Sequence, residues 1–491
     1  MWVVGVEEHL PITKRFSHPF EEVVFNFLSQ RYKLNEVGLP LFNEWPYAYV
    51  LHENKASSYC HYCLKSKWSN QAELITCSRC HFAFYCNQEC QLLAHDDHKD
   101  ECKCMERCEG FIPSRKARII ARMIFKMNEN YVPDCHLPEI LQKRRFSDLM
   151  NHKEEIVNDS RRTKEFRNIC NELDEYLFPE HWVGDEVLLD IYGKVTVNSF
   201  SILIREISIA LGLYIGTSIL DHSCDPDVFA TFNGPRIIIR PFKPGVERKP
   251  LKDLRIGYFG TFVATRERQT LSSSRYYFNC DCALCKDKLR DLEMHSIKCE
   301  HCSGVAIFDE KADADSTAIC QTCKKTTDGT KAKALMKEME IVLEQLGANP
   351  DAVKEWHNLK SIPEDLKALD EQSRALLSEI NVYSSSLSVK LQGMCNVAKL
   401  SAEAYDYCLR ALKAPQHFLH VNHPLRLLQT KSAGIVKTEH PSTVEEGIEL
   451  LKEAEKGYRF VGDDARAQEC RSVVNAIQED MINIENNNST K

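Results

Sequence analysis

Cysteine and histidine recur in this chain at spacings that bind metal. The first run reads Cys60-x2-Cys63, Cys77-x2-Cys80, Cys86-x3-Cys90 and His98-x3-Cys102. Four pairs make eight donors, enough for two tetrahedral zinc sites, and each pair converges through a tight turn or one helical turn. His98 and Cys102, at i and i+4, share one helix face. The second run, Cys280-x-Cys282-x2-Cys285, offers three donors and leaves a closed site one short; Cys224 is the nearest upstream candidate for the fourth. The third, Cys299-x2-Cys302 followed after 17 residues by Cys320-x2-Cys323, has the spacing of a self-contained zinc ribbon, with Gly304 suiting the turn after its first knuckle. Of the 22 cysteines, that leaves Cys104, Cys108, Cys135, Cys170, Cys395, Cys408 and Cys470 as ordinary thiols. Closed four-ligand sites are structural. The metals secure a frame, and any reaction needs other residues.

The frame is large. At roughly 100–200 residues per domain, 491 residues allow two to four domains. A net charge of −8 argues against a chain that coats nucleic acid with its whole surface, and no recognition-helix signature is present. No apolar run reaches the roughly 18 residues that would span a bilayer. Glu7 and Glu8 interrupt the start too early for a secretory leader, so a reducing compartment is expected, where cysteines more often hold metal than pair.

Several elements are legible. Residues 37–51 read as an extended lead into the first cysteine run. Ile119, Ile120, Met123 and Ile124 form one apolar helical stripe, and Arg115, Lys116, Arg118 and Arg122 around it read as a solvated face. Val228 to Arg240 alternates with period two, and Asn233-Gly234 supplies a hairpin turn. Beyond Lys331 the chain turns helical, with no clean 34-residue repeat, and Ser442-x-x-Glu445 reads as a capping box before Val444, Ile448, Leu451 and Tyr458.

The order of the first run resembles the MYND zinc finger, in which alternate pairs share a metal. That resemblance assigns Cys60, Cys63, Cys86 and Cys90 to one zinc, and Cys77, Cys80, His98 and Cys102 to the other. Asn198-Ser199-Phe200, the segment from Gly212 to Asp227 with Asp221-His222-Ser223-Cys224, and Tyr277-Phe278-Asn279-Cys280-Asp281-Cys282 look like the SET core and post-SET motifs of lysine methyltransferases. Together they resemble the SMYD family over roughly residues 37–290. The resemblance implies an α+β, multidomain fold: a zinc-bound, β-rich SET core split by a MYND finger, with a helical, tetratricopeptide-like C-terminal domain. The expected divisions are 1–59 (N-terminal SET segment), 60–102 (finger), 103–195 (helical insert), 196–265 (SET core), 266–290 (post-SET), 291–330 (ribbon-like insert) and 331–491 (helical).

The chemistry implied is transfer of a methyl group from S-adenosylmethionine to a lysine of a histone or another protein, with zinc, about four ions, as the structural metal. Proximity and orientation supply most of the acceleration in such a reaction. By resemblance Tyr258 is the active-site tyrosine, Tyr276 a second pocket tyrosine, Phe278 a wall against the adenine, and Asn198, Asp221 and His222 cofactor contacts. Three departures stand out. Asp221 occupies the family's asparagine position and offers only acceptors. Residues 1–36 hold only Gly5 where a Gly-x-Gly loop is usual, and Lys252-Asp253-Leu254-Arg255 replaces the usual acidic pair. A second reading is therefore a degenerate SET protein that docks peptide or protein partners through its finger. No membrane partner is expected, and nucleic acid is not expected as the main one. Lys143-Arg144-Arg145 and Arg161-Arg162 are weak import-type clusters, so both nucleus and cytoplasm are expected locations.

Overall fold

The computed structural model describes residues 4–5, 38–68, 73–108, 110–127, 132–204, 207–309, 316–348 and 356–489. Except for Val4 and Gly5, the stretch expected to lack a glycine loop lies outside these. The chain forms two compact units, one of residues 1–259 and 271–280, the other of 260–270 and 281–491. Helices and sheets are mixed in both, the α+β architecture expected.

Among the described residues, two larger sheets build the first unit, beside a two-stranded pair of Ile75–Thr76 with Phe84–Tyr85. Ala48–Leu51, Ile207–Leu213 and Ser199–Ile204 pair antiparallel. A six-stranded sheet orders Phe42–Glu44, Arg236–Pro241, Val228–Asn233, Arg255–Ile256 and Asp221–His222, with Val4–Gly5 parallel to Val228–Asn233. Buried Phe200, Tyr214, Phe232, Ile237 and Ile239 fill the space these strands enclose. The hairpin falls where its alternation predicts, but its register puts Gly234-Pro235, not Asn233-Gly234, at the two central positions. Gly234 has φ +54°, and proline follows, the pattern of a turn needing glycine first. A Cβ at Gly234 would stand 2.6 Å from the Cys63 carbonyl oxygen, so the turn also presses against the finger.

The basic helix face departs from expectation. In Arg115–Lys126 the apolar stripe is buried, and so are Arg118 and Arg122, at 0% and 5% exposure. Arg118 donates to Glu101 Oε1 (2.8 Å) and the Leu51 carbonyl (3.0 Å); Arg122 donates to Glu101 Oε2 (2.5 Å) and the Tyr49 carbonyl (2.6 Å). Lys116 reaches Glu165 at 2.5 Å. These cations pair with acids supplied by other helices, which is why a reading of one helix alone left them in water.

In the second unit, Ile297–Lys298, Val305–Phe308, Thr317–Cys320 and Thr326–Asp328 form a four-stranded antiparallel sheet. Its buried face packs on Ala332, Leu335, Met336 and Met339 of helix Thr330–Ala348, so ribbon and helices share one core. Helices Glu364–Leu376, Val382–Ala398, Ser401–Phe418, Pro424–Thr438, Val444–Val461 and Asp464–Ser489 follow. The expected Ser442 cap is not the one formed. Thr443 is the N-cap of Val444–Val461 and makes no side-chain capping bond, because its hydroxyl donates to the Lys437 carbonyl (2.8 Å). Glu445 and Glu446 still place negative charge on that helix's first turn.

Candidate active site and metal centres

The sixteen predicted metal donors can be placed first. Zinc–thiolate bonds of about 2.3 Å put sulfurs at tetrahedral corners with edges of about 3.8 Å. Cys63 and Cys86 Sγ lie 3.6 Å apart, and with Cys60 and Cys90 form one group. Cys77 and Cys102 Sγ lie 3.7 Å apart, Cys80 Sγ is 3.6 Å from His98 Nε2, and these four form the second. Alternate pairs are thus brought together. The Asn87 side chain caps helix Gln88–Leu93 by accepting from Cys90 N (2.9 Å), which aims that thiol.

The ribbon repeats the geometry: Cys299 to Cys323 is 3.6 Å and Cys302 to Cys320 is 3.5 Å. Its knuckles turn at Ser303 (φ +54°) and Lys324 (φ +61°) rather than at Gly304. Gly304 serves another purpose, since a Cβ there would stand 2.7 Å from Thr322 Oγ1. The remaining set begins in the first unit, where Cys224 and Cys280 Sγ are 3.8 Å apart. Cys282 and Cys285 follow Cys280 by two and five residues along the chain. Sixteen donors, four to an ion, predict that metal analysis of the purified chain returns about four zincs. A result of two would remove the ribbon and the post-SET set together.

Among the seven other cysteines, Cys104, Cys395, Cys408 and Cys470 are buried. Asp134, Cys135 and His136 bring three further donor atoms close. The Asp134 carboxylate is already taken up there, accepting from Trp45 N (2.7 Å), Arg236 (2.8 Å) and His136 N (3.0 Å). It clasps two strands and is not a vacant ligand.

The aromatic candidates meet around one strand. Asp221–His222 runs parallel to Arg255–Ile256, with Asp221 opposite Arg255. Ser223 N donates to the Ile256 carbonyl and Asp227 N to that of Arg255, so the chain just before Tyr258 is fixed against the Asp221–Asp227 loop. Upstream, buried Glu44 accepts from Gly216 N (2.8 Å), Thr217 N (2.7 Å) and Thr217 Oγ1 (2.7 Å), holding the turn that delivers Leu220. The Tyr258 ring lies 5.3 Å from His222, 4.9 Å from Tyr276 and 6.3 Å, edge-on, from Phe278. Tyr277, with φ +61°, follows the helix that ends at Tyr276 and bonds Asp159. That left-handed residue lets Tyr276 and Phe278 face one group while Tyr277 leaves it.

The Tyr258 hydroxyl donates to the Leu220 carbonyl (2.8 Å), and the Tyr276 hydroxyl to the Tyr258 carbonyl (3.3 Å). Burial pushes the Tyr258 phenol well up, with the Asp221 charge and Tyr276 adding to it; burial also raises Tyr276. Both hydroxyls therefore stay protonated at neutral pH and act as neutral polar groups. Asn198 is taken up differently: its two amide hydrogens go to the Met150 (2.8 Å) and Lys194 (2.7 Å) carbonyls. Phe259, whose ring is 4.6 Å from His222, belongs to the group and was signalled only by its place beside Tyr258. The Leu220 carbonyl and Glu44 carried no signal in the sequence.

A family model described as MYND finger matches residues 60–102. The chain is 25% identical over 403 residues to "Histone-lysine N-methyltransferase SMYD3" of Homo sapiens, covering 81% of this chain and 82% of the relative. It is 24% identical over 430 residues to "Histone-lysine N-methyltransferase ASHR1" of Arabidopsis thaliana, at 84% and 85% coverage. To "N-lysine methyltransferase SMYD2-B" of Danio rerio it is 29% identical over 269 residues, at 53% and 58% coverage. A zinc-donor finger and matches that cover four fifths of the chain make it similar to the SMYD family.

Proposed function

We propose that this chain is an S-adenosylmethionine-dependent protein-lysine N-methyltransferase acting on lysines of histones or other proteins. The observation that carries the reading is the Tyr258 phenol, buried among aromatic rings, kept neutral, and tethered at a backbone carbonyl beside the Asp221 carboxylate. The residues present suit the cofactor: Asp221 would accept from its α-ammonium, Phe278 would flank its adenine, and Asn198 would offer an oxygen. When bound, S-adenosylmethionine supplies an electrophilic methyl group on sulfur. The chain's own residues then bind, orient and exclude water. Tyr258 presents hydroxyl lone pairs where an incoming amine and methyl group need acceptors, and Tyr276 narrows the approach. Neither phenol can take the substrate's proton at neutral pH, so the lysine must enter as the free amine or lose its proton to water.

A second reading, a weakly active or inactive adaptor docking proteins through its finger, draws support from Asp221 at the asparagine position and from the occupied amide of Asn198. Calorimetric titration with S-adenosylmethionine separates the two. Saturable binding at one site per chain is expected, and no heat from a preparation carrying its full zinc complement would overturn the enzyme reading in favour of the adaptor. Residence in both nucleus and cytoplasm is part of the same proposal, on the clusters at Lys143–Arg145 and Arg161–Arg162.

A further inference from the structure

We infer that His222 is a positioning residue whose imidazole ties the sulfur of Cys224 to the backbone of Tyr258. The inference deepens, and for its kinetic part rests on, the methyltransferase reading. Tyr258 N stands 3.1 Å from His222 Nδ1. A backbone N–H only donates, so Nδ1 must present its lone pair, and in the neutral ring the hydrogen then sits on Nε2. Nε2 is 3.3 Å from Cys224 Sγ, and a metal-bound thiolate is the natural acceptor for that hydrogen. Each ring nitrogen thus has a partner on opposite sides.

Three further features give the tie its purpose. His222 ends the strand Asp221–His222, and the bend that follows brings Cys224, two residues on, back to its ring. Leu220, two residues earlier, accepts from the Tyr258 hydroxyl. One run of five residues therefore grips Tyr258 at its backbone N–H and at its phenol, and ends on a metal donor. The ring itself is held between Phe259 at 4.6 Å, Tyr258 at 5.3 Å and Phe278 at 5.7 Å, which resists rotation about its χ2. Through this chain of contacts the metal site sets where the tyrosine sits. Loss of the thiolate charge would weaken the Nε2 bond and free the ring, so occupancy of the metal would be felt at the hydroxyl that faces the substrate amine.

The test uses the full chain with its zincs exchanged for cadmium-113. His222→Ala should move one cadmium resonance and leave the others in place, because it deletes an N–H···S bond to one sulfur. His222→Asn, whose side-chain oxygen falls where Nδ1 was, should show the same displaced resonance yet recover much of the turnover. Turnover in His222→Ala should fall roughly 10- to 100-fold with KM for a lysine peptide nearly unchanged. In the unaltered chain, nitrogen-15 correlations of the His222 ring, assigned by their loss in His222→Asn, should show the Nε2–H tautomer, which guards against variants that fold poorly. A Nδ1–H tautomer, or cadmium resonances all unmoved in His222→Ala, overturns the tie. A rise in KM equal to the fall in turnover, unrelieved by asparagine, would instead make His222 a substrate contact. A displaced resonance with no methyl transfer by the unaltered chain would support the tie while refuting the enzymatic reading.

Discussion

Tyr258→Phe should lower single-turnover methyl transfer to a lysine peptide by on the order of 10²- to 10⁴-fold, the range lost when a positioned polar group is removed from a transition state. Affinity for S-adenosylmethionine should change by less than about threefold. The separation follows from what the ring and the hydroxyl each touch. The ring packs on His222, Tyr276 and Phe278, and phenylalanine keeps that packing. The hydroxyl bonds the Leu220 carbonyl and offers its lone pairs to whatever enters beside it, and phenylalanine removes both. The orphaned carbonyl costs about 1 kcal/mol of stability, too little to unfold the chain. Stopped reactions at saturating peptide measure the transfer, and calorimetry measures the binding. Equal loss of both would mean that Tyr258 holds the cofactor and does not orient the amine.

How much of this could be read from the sequence depends on how local each signal is. The donor sets of the finger and ribbon were legible because each knuckle spans three or four residues, and its sulfurs converge whatever the rest of the chain does. Tyr258, Tyr276, Phe278, His222 and Asp221 were legible as types in a motif, and the structure brings the four aromatic rings together. What the motif could not show is how they are held. The Leu220 carbonyl carries no letter of its own, and Glu44 meets Thr217 from 173 residues away. Nor could the motif show that the amide hydrogens of Asn198 stitch the end of its own helix to Met150. Periodicity misplaced Arg118 and Arg122 for a similar reason. It ranks a side chain by its own helix, and the acid that draws these two inward lies 17 and 21 residues upstream.

That acid carries the second large effect. Glu101→Gln should destabilise the first unit by about 3–5 kcal/mol, the usual cost of removing one partner from a buried ion cluster. Glu101 is 1% exposed and lies between the guanidiniums of Arg118 and Arg122, themselves tied to the carbonyls of Leu51 and Tyr49. Burial alone would push its carboxyl up, but the two cations and His98 hold it well below the usual carboxylate range. Glutamine fills the same volume and leaves both guanidiniums buried with no neutralising charge, and its NH2 group points a donor at donors. Denaturant unfolding should therefore show a lower midpoint at unchanged slope. The same change should reach the metal, because Glu101 Oε2 stands 3.8 Å from Nδ1 of His98, whose Nε2 faces Cys80. A chromophoric chelator should draw one zinc per chain faster than from the unaltered protein, since the carboxylate beside a metal-bound histidine typically accounts for 10- to 100-fold in affinity, by order of magnitude. Replacing all three charges together, as Glu101→Met with Arg118→Leu and Arg122→Met, should cost far less stability than Glu101→Gln alone, because no buried charge is then left without a partner. A single variant as stable as the unaltered chain would mean that the cluster is neutral in the folded state, and that finger and core are joined by apolar packing alone.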